Sequence, residues 1–220
     1  AKPLATFECQ ERLGIDWPRT LVTYPVEFKP GEYSTNQLRL VDINGSEQPF
    51  QLSRVAHDAK SGSTTARISF FASLPAQVRS NAVLLSSQYR YELLAEKPLT
   101  PVKTSLRAAS EGESLVLGNS VVAVRLPKVG ETKLDKPLTE ALGPIQGVRL
   151  VNGQWTDKST FFAADTNVQP RVTGIACEIT EQGPLFVEAR VRYSFAGNER
   201  YELTARVLAD DPSVRIDEQY

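Results

Sequence analysis

Apolar and polar residues alternate along most of this chain, and the helical period is nearly absent. The alternation is clearest in Val187, Ala189, Val191 and Tyr193, and again in Tyr201, Leu203, Ala205 and Val207. A period of two sends successive side chains to opposite faces, so each run reads as a strand with one buried face. Ala196-Gly197-Asn198 turns the chain between them, and Asp211-Pro212 turns it again. Earlier, Thr20 to Phe28 reads as a strand, with Pro25 directing it to an edge or a bulge. Leu38, Leu40 and Asp42 share a face, and Asn44-Gly45 predicts a type I′ hairpin that returns through Phe50 to Val55. "TARISFFASLP" is a strand closed by Leu74-Pro75, "NAVLLSSQYRYELL" resumes the pattern, and Asn152-Gly153 marks another turn. Strands recurring about every 8–12 residues predict an all-β sandwich or barrel.

The pattern breaks once. Ala95 to Ser114 carries Pro98, Pro101 and small polar residues, the composition of an inter-domain crossing. The expected division is an N-terminal β-barrel or sandwich over 1–96, a linker over 97–105, and part of a larger antiparallel β-structure over 106–220. The second part has long strands and no closing segment. A bare sheet edge is an aggregation hazard, so the remainder of the same polypeptide or a partner chain is expected to complete the sheet. The chain starts at Ala1 and has no Met, as a processed or excerpted chain would.

Composition narrows the function. Of 220 residues, 41% are hydrophobic, which supports a core and excludes disorder. A net charge of -1 gives no long-range attraction to nucleic acid or an anionic membrane. No apolar run approaches the roughly 20 residues of a membrane helix.

Candidate chemistry is sparse. Cys9 and Cys177 have no metal-ligand spacing; they are either two buried thiols or one disulfide closing a loop of roughly 170 residues. No cofactor motif is present: the glycine segments lack phosphate-loop spacing. His57, the one histidine, is either a base steadied by Asp58 or a turn residue. The acidic pairs Asp157/Asp165, Glu178/Glu181 and Asp210/Asp211 lie mostly beside turns, where acids are common. Trp17 and Trp155 also lie beside turns, each with charged neighbours. Such an indole can present its face to a sugar while polar neighbours bind the hydroxyls. Arg149, Trp155 and Asp157 form the first candidate sugar contact, with Trp17 as a second platform.

"LRLVDINGSEQPFQ", followed by "ARISFFASLPA", resembles the N-terminal β-barrel of large bacterial polysaccharide-degrading proteins, nearest to the rhamnogalacturonan exolyase-like group. Asp42, Gly45, Pro49, Gln51 and Leu74-Pro75-Ala76 carry that likeness. "SLVLGNSVVAVRLP", "GPIQGVRLVNGQW" and "YELTARVLADDPSVRIDEQY" are similar to the opening strands of a galactose-mutarotase-like β-supersandwich. The resemblance implies a secreted or periplasmic polysaccharide lyase, or else a glycoside hydrolase. In such enzymes the catalytic groups lie further along the chain, so none is carried onto this one. Lyase chemistry needs a base beside a uronate whose carboxylate is neutralised. Arg190, Arg192, Tyr193 and Arg206 are suitable types, but nothing in the sequence pairs them. The expectation is therefore a non-catalytic β region that binds a polysaccharide or oligosaccharide. The alternatives are a stand-alone carbohydrate-binding or adhesion module, and a structural protein that pairs through its sheet edges.

Overall fold

The computed structural model describes residues 2–11, 15–34, 36–74, 79–80, 83–84, 88–161, 170–197 and 199–220. The chain is all-β, built from antiparallel sheets, with a single 3-10 turn at Leu138–Glu140 as its helical element among the described residues. It divides into two compact units, Ala1–Lys103 and Thr104–Tyr220.

The first unit contains β1 (Ala5–Gln10), β2 (Trp17–Phe28), β3 (Arg39–Asp42), β4 (Glu47–Gln48), β5 (Phe50–His57), β6 (Thr64–Leu74), β7 (Arg79–Ser80), β8 (Val83–Leu84) and β9 (Gln88–Leu94). One sheet runs β1-β9-β3-β4, a second runs β2-β6-β5, and β7 pairs with β8. Phe7, Leu40, Tyr91 and Leu93 of the first sheet share a core with Phe28, Ile68 and Phe70 of the second. Pro25 lies on β2, an edge strand, where its missing N–H costs no ladder bond. The segment after β9 is tied down: the Leu99 and Thr100 amides donate to the Glu47 carboxylate at 3.1 and 3.2 Å.

The β3–β4 hairpin is not the type I′ turn that Asn44-Gly45 predicts. Gly45 is left-handed (φ 77°) but Asn44 is not, and the Gly45 amide donates to the Asp42 carbonyl. The loop therefore has three residues and ends on a left-handed glycine. Asp42 drives the difference: its Oδ1 accepts from the amides of Asn44 and Ser46, both at 2.9 Å, and stabilises the wider turn. Asn152-Gly153 repeats it, with the Gly153 amide on the Leu150 carbonyl and Gly153 at φ 83°. Three other readings fall partly outside the described residues: the Leu74-Pro75-Ala76 strand end, at Pro75 and Ala76, the run NAVLLSSQYRYELL, at 81–82 and 85–87, and the Ala196-Gly197-Asn198 turn, at Asn198.

The second unit contains β10 (Arg107–Glu111), β11 (Ser114–Gly118), β12 (Ala123–Pro127), β13 (Gly130–Pro137), β14 (Gly147–Arg149), β15 (Arg171–Gln182), β16 (Phe186–Phe195), β17 (Arg200–Leu208) and β18 (Val214–Gln219). A four-stranded sheet, β10-β11-β12-β14, faces a five-stranded sheet, β13-β15-β16-β17-β18. All eight alternating residues of β16 and β17 named above are buried between the sheets. They meet Leu115, Leu117, Val124 and Leu126 from the opposite sheet.

Asn119 joins the two sheets. It is 3% exposed, and both of its side-chain groups are satisfied. Nδ2 donates to the carbonyls of Leu208 (2.7 Å) and Asp211 (2.8 Å), while Oδ1 accepts from the amides of Val121 and Val122, both at 2.8 Å. The β11–β12 turn is thereby fixed to the β17–β18 turn, where Asp210 adopts φ 60°.

Cys9 and Cys177 are free thiols, one in each unit's core. Burial pushes the Cys177 thiol up to about 11.

Candidate functional site

Of the predicted contacts, the structure pairs Arg149 with Trp155. Arg149 ends β14 and pairs with Trp155 across an isolated antiparallel bridge. The guanidinium of Arg149 donates to the Asn119 carbonyl at 2.9 Å. The Arg125 guanidinium lies 4.1 Å from the centre of the Trp155 ring, so one indole face is already covered. Asp157 is exposed two residues further on. Trp17 is 41% exposed but stands at the start of β2, in the other unit.

His57 ends β5 with its Nδ1 3.2 Å from Thr64 Oγ1. The Asp58 carboxylate is spent in its own loop, accepting from Ser61 Oγ (2.7 Å) and the Lys60 amide (2.8 Å). Those bonds, that from Ser61 foremost, hold its carboxyl below the usual range. The histidine is thus held by its cross-strand threonine, as a strand-end residue is.

The basic residues of β16 and β17 have strand geometry and ionic partners. Arg190 and Arg192 alternate with Val191 and Tyr193, so the arginines and the tyrosine point to opposite faces. Arg192 pairs with Glu178 at 3.1 Å, and Arg190 lies 3.3 Å from Glu202. Glu188 accepts from Arg206 Nε at 2.7 Å and from Thr180 at 2.8 Å. Tyr193 is fully buried, and its hydroxyl donates to the Leu142 carbonyl at 2.7 Å. These residues form a charge ladder on one face and a core tyrosine on the other. No base-and-neutraliser pair arises among them.

Of the acidic residues considered, Glu178 belongs to that ladder, Asp211 accepts from the Ser213 amide at 2.8 Å, and Asp165 lies outside the described residues. Among the described residues no three acidic, histidine or cysteine side chains group as metal ligands. No helix there is long and apolar enough to cross a membrane.

A cleft of the second unit lies elsewhere. It encloses about 560 Å³ beside the end of the β17–β18 hairpin. Phe161, Phe195, Tyr201 and Tyr220 give it aromatic walls; Arg200 and Glu218 supply charge. Tyr201 packs on the buried Tyr193 at 5.7 Å and on Tyr220 at 5.2 Å, while Phe161 meets Tyr201 edge-on at 5.5 Å. The aromatic chain therefore runs from the core to the surface, where Tyr220 is 94% exposed.

Glu218 is the polar centre. Tyr201 donates to its Oε1 at 2.6 Å, and Tyr220 lies 3.4 Å from Oε2. Burial, and then the bond to Glu218, push the Tyr201 phenol far above its ordinary value, so it stays a donor. The other wall is held by Ser159, whose amide donates to the Ile145 carbonyl (2.7 Å) and whose hydroxyl accepts from the Ile145 amide (3.0 Å). Gly143 is required at this wall, because a Cβ there would collide with the Ser159 carbonyl.

These cleft residues went unnoticed in the sequence because they are scattered over 161–220. One signal was present. Counting outward from the Asp211-Pro212 turn sets Leu203 opposite Glu218 and carries Tyr201 toward Tyr220.

An apolar cleft with aromatic faces and a fixed carboxylate can bind a polyhydroxylated ring, stacking its C–H face and accepting its hydroxyls. No protein-family model matches the chain, and no curated protein matches its sequence.

Proposed function

We propose that this chain is a non-catalytic, carbohydrate-binding β region of a secreted or periplasmic polysaccharide-degrading enzyme of the lyase kind. The observation that carries the reading is the cleft of the second unit, where Tyr201 and Tyr220 flank Glu218. Aromatic walls with one oriented carboxylate suit a sugar ring better than a nucleotide, since among the described residues Arg200 is the one basic side chain lining the cleft. The charge ladder and the buried Tyr193 support a binding role over a catalytic one, because the arginines and the tyrosine that lyase chemistry would recruit are already committed. The resemblance of both units to parts of polysaccharide lyases supports the same reading.

The test uses the 220-residue chain on immobilised uronate-containing and neutral polysaccharides, with product ends followed in parallel. Retention on polysaccharide without new unsaturated or reducing ends is the expected result. Unsaturated ends made by this chain would overturn the non-catalytic part, and no retention on any polysaccharide would overturn the binding part.

A second reading has its own observation. Strand β18 borders its sheet with residues 215–219 exposed, so it could pair with a partner strand. A stable complex without sugar affinity would favour that alternative.

A further inference from the structure

The first unit has a smaller pocket of about 260 Å³, the scale of one sugar ring, lined by Arg19, Asp42, Gln48, Ser73, Tyr89 and Tyr91 among others. Arg19 is placed there by a β-bulge. Trp17 pairs with Leu74 and Thr20 with Ala72, so β2 carries one residue more than β6 over this step. Thr20 Oγ1 secures the bulge by donating to the Pro18 carbonyl at 2.8 Å. Bulges of this kind re-aim a side chain. The guanidinium lies 3.7 Å from the centre of the Phe71 ring, and among the described residues no carboxylate comes within ion-pair distance of it.

Tyr91 supplies an independent sign. It is 5% exposed and its ring is tilted against Phe70 at 4.5 Å, while its hydroxyl is not sealed in the core and reaches the pocket. Burial pushes this phenol up, so at neutral pH it remains a donor. Tyr89 and Ser73 add their hydroxyls to the same lining. Asp42, the opposing charge, is already occupied: Oδ1 takes two amides, and Oδ2 accepts from Gln48 Nε2 at 3.1 Å. The pocket therefore offers one guanidinium outside any ion pair among the described residues, beside hydroxyls that can donate or accept, a lining that suits a ligand carrying both an anionic group and hydroxyls.

We infer that this pocket binds a carboxylate-bearing sugar ring, a uronate unit, with Arg19 on the carboxylate and Tyr91 on a ring oxygen. The inference rests on the carbohydrate reading above but concerns a separate site. Guanidinium recognises carboxylate through paired, charge-assisted bonds, and the stack on Phe71 holds the fork in place.

The experiment is a calorimetric or NMR titration of the whole chain with glucuronate and galacturonate, each against its parent hexose, with acetate alone as a further probe. At least one uronate should bind at least ten-fold more tightly than its hexose and than acetate. Arg19→Gln should remove that advantage, Arg19→Lys should retain part of it, and Tyr91→Phe should weaken binding several-fold. Equal affinity for uronate and hexose, acetate binding as tightly as either uronate, or an unchanged Arg19→Gln would overturn the inference. Arg19 is exposed, so its variants should melt at the parent temperature and a lost signal can be assigned to the site. If polysaccharide retention depends on Tyr201 and Tyr220 while uronates fail here, this inference falls and the binding function stands. If uronates bind through Arg19 but no polysaccharide is retained, the reverse holds.

Discussion

Trp155 and Tyr201 sit in the same unit, and each is an aromatic residue with a charged partner, yet they do different things. Trp155 lies beneath Arg125 and pairs with Arg149, whose guanidinium is held by Asn119; Asn119 in turn clamps the turns of both sheets. That group is frame. Tyr201 joins the buried Tyr193 to the open Tyr220 and orients Glu218. That group is cleft. An aromatic beside a turn is a binding platform only if its face is left uncovered, and what covers a face is decided by neighbouring strands.

Breaking the frame should cost stability and leave sugar binding in place. The largest effect is expected for Asn119→Ala, which strands buried carbonyls and amides at two turns. A loss on the order of 3 kcal/mol in denaturant unfolding is expected, and a loss near zero would mean the clamp is dispensable.

Alkaline pH attacks the core common to frame and cleft. Cys177 is raised to about 11 by burial, and the Tyr193 and Tyr201 phenols are raised as well. The folded protein holds these protons more tightly than the unfolded chain, whose thiol ionises near pH 8.5. This stabilisation is complete below that value and is lost as pH rises through about 11; Cys177 alone contributes on the order of 3 kcal/mol. Urea unfolding at stepped pH should show the fall, and Cys177 should resist alkylation until the chain opens.

Trp155→Ala removes a half-buried indole. It should lower stability by about 2 kcal/mol, less than for a fully buried tryptophan. Polysaccharide retention should change little. A large loss of retention with stability unchanged would move Trp155 from frame to cleft.

Tyr220→Ala inverts that expectation. Its ring is exposed, so stability should hold, while affinity should fall about ten-fold, or roughly 1.4 kcal/mol. Glu178→Gln, on the charge ladder, should have the smallest effect. Its pair with Arg192 is half exposed, so about 0.5 kcal/mol is expected, vanishing in high salt.

The comparison also shows which parts of the molecule could be read from sequence. The eight alternating residues of β16 and β17 announced a buried face because a period of two leaves no other solution. The hairpins at Asn44-Gly45 and Asn152-Gly153 were located by their glycines, but their geometry was not. At the first, the Asp42 carboxylate favours a three-residue loop, a bond between a side chain and amides two and four residues on. The pairing of Arg149 with Trp155 was close enough in sequence to guess. The Arg125 that covers the ring comes from another strand and was not. The cleft needed the register of β17 on β18 and the path of 155–161, which depend on long-range packing. Arg19 required a bulge whose signal, Pro18 at the start of β2, has several possible outcomes.

The most direct test of the account is an amide-resolved NMR titration of the chain with a uronate-containing oligosaccharide. Saturable shifts are expected in the second unit, clustered at Phe161, Arg200, Tyr201, Glu218 and Tyr220 and sparing Trp155. Shifts centred on Trp155 and Arg149, or none in that unit at saturating sugar, would contradict the account.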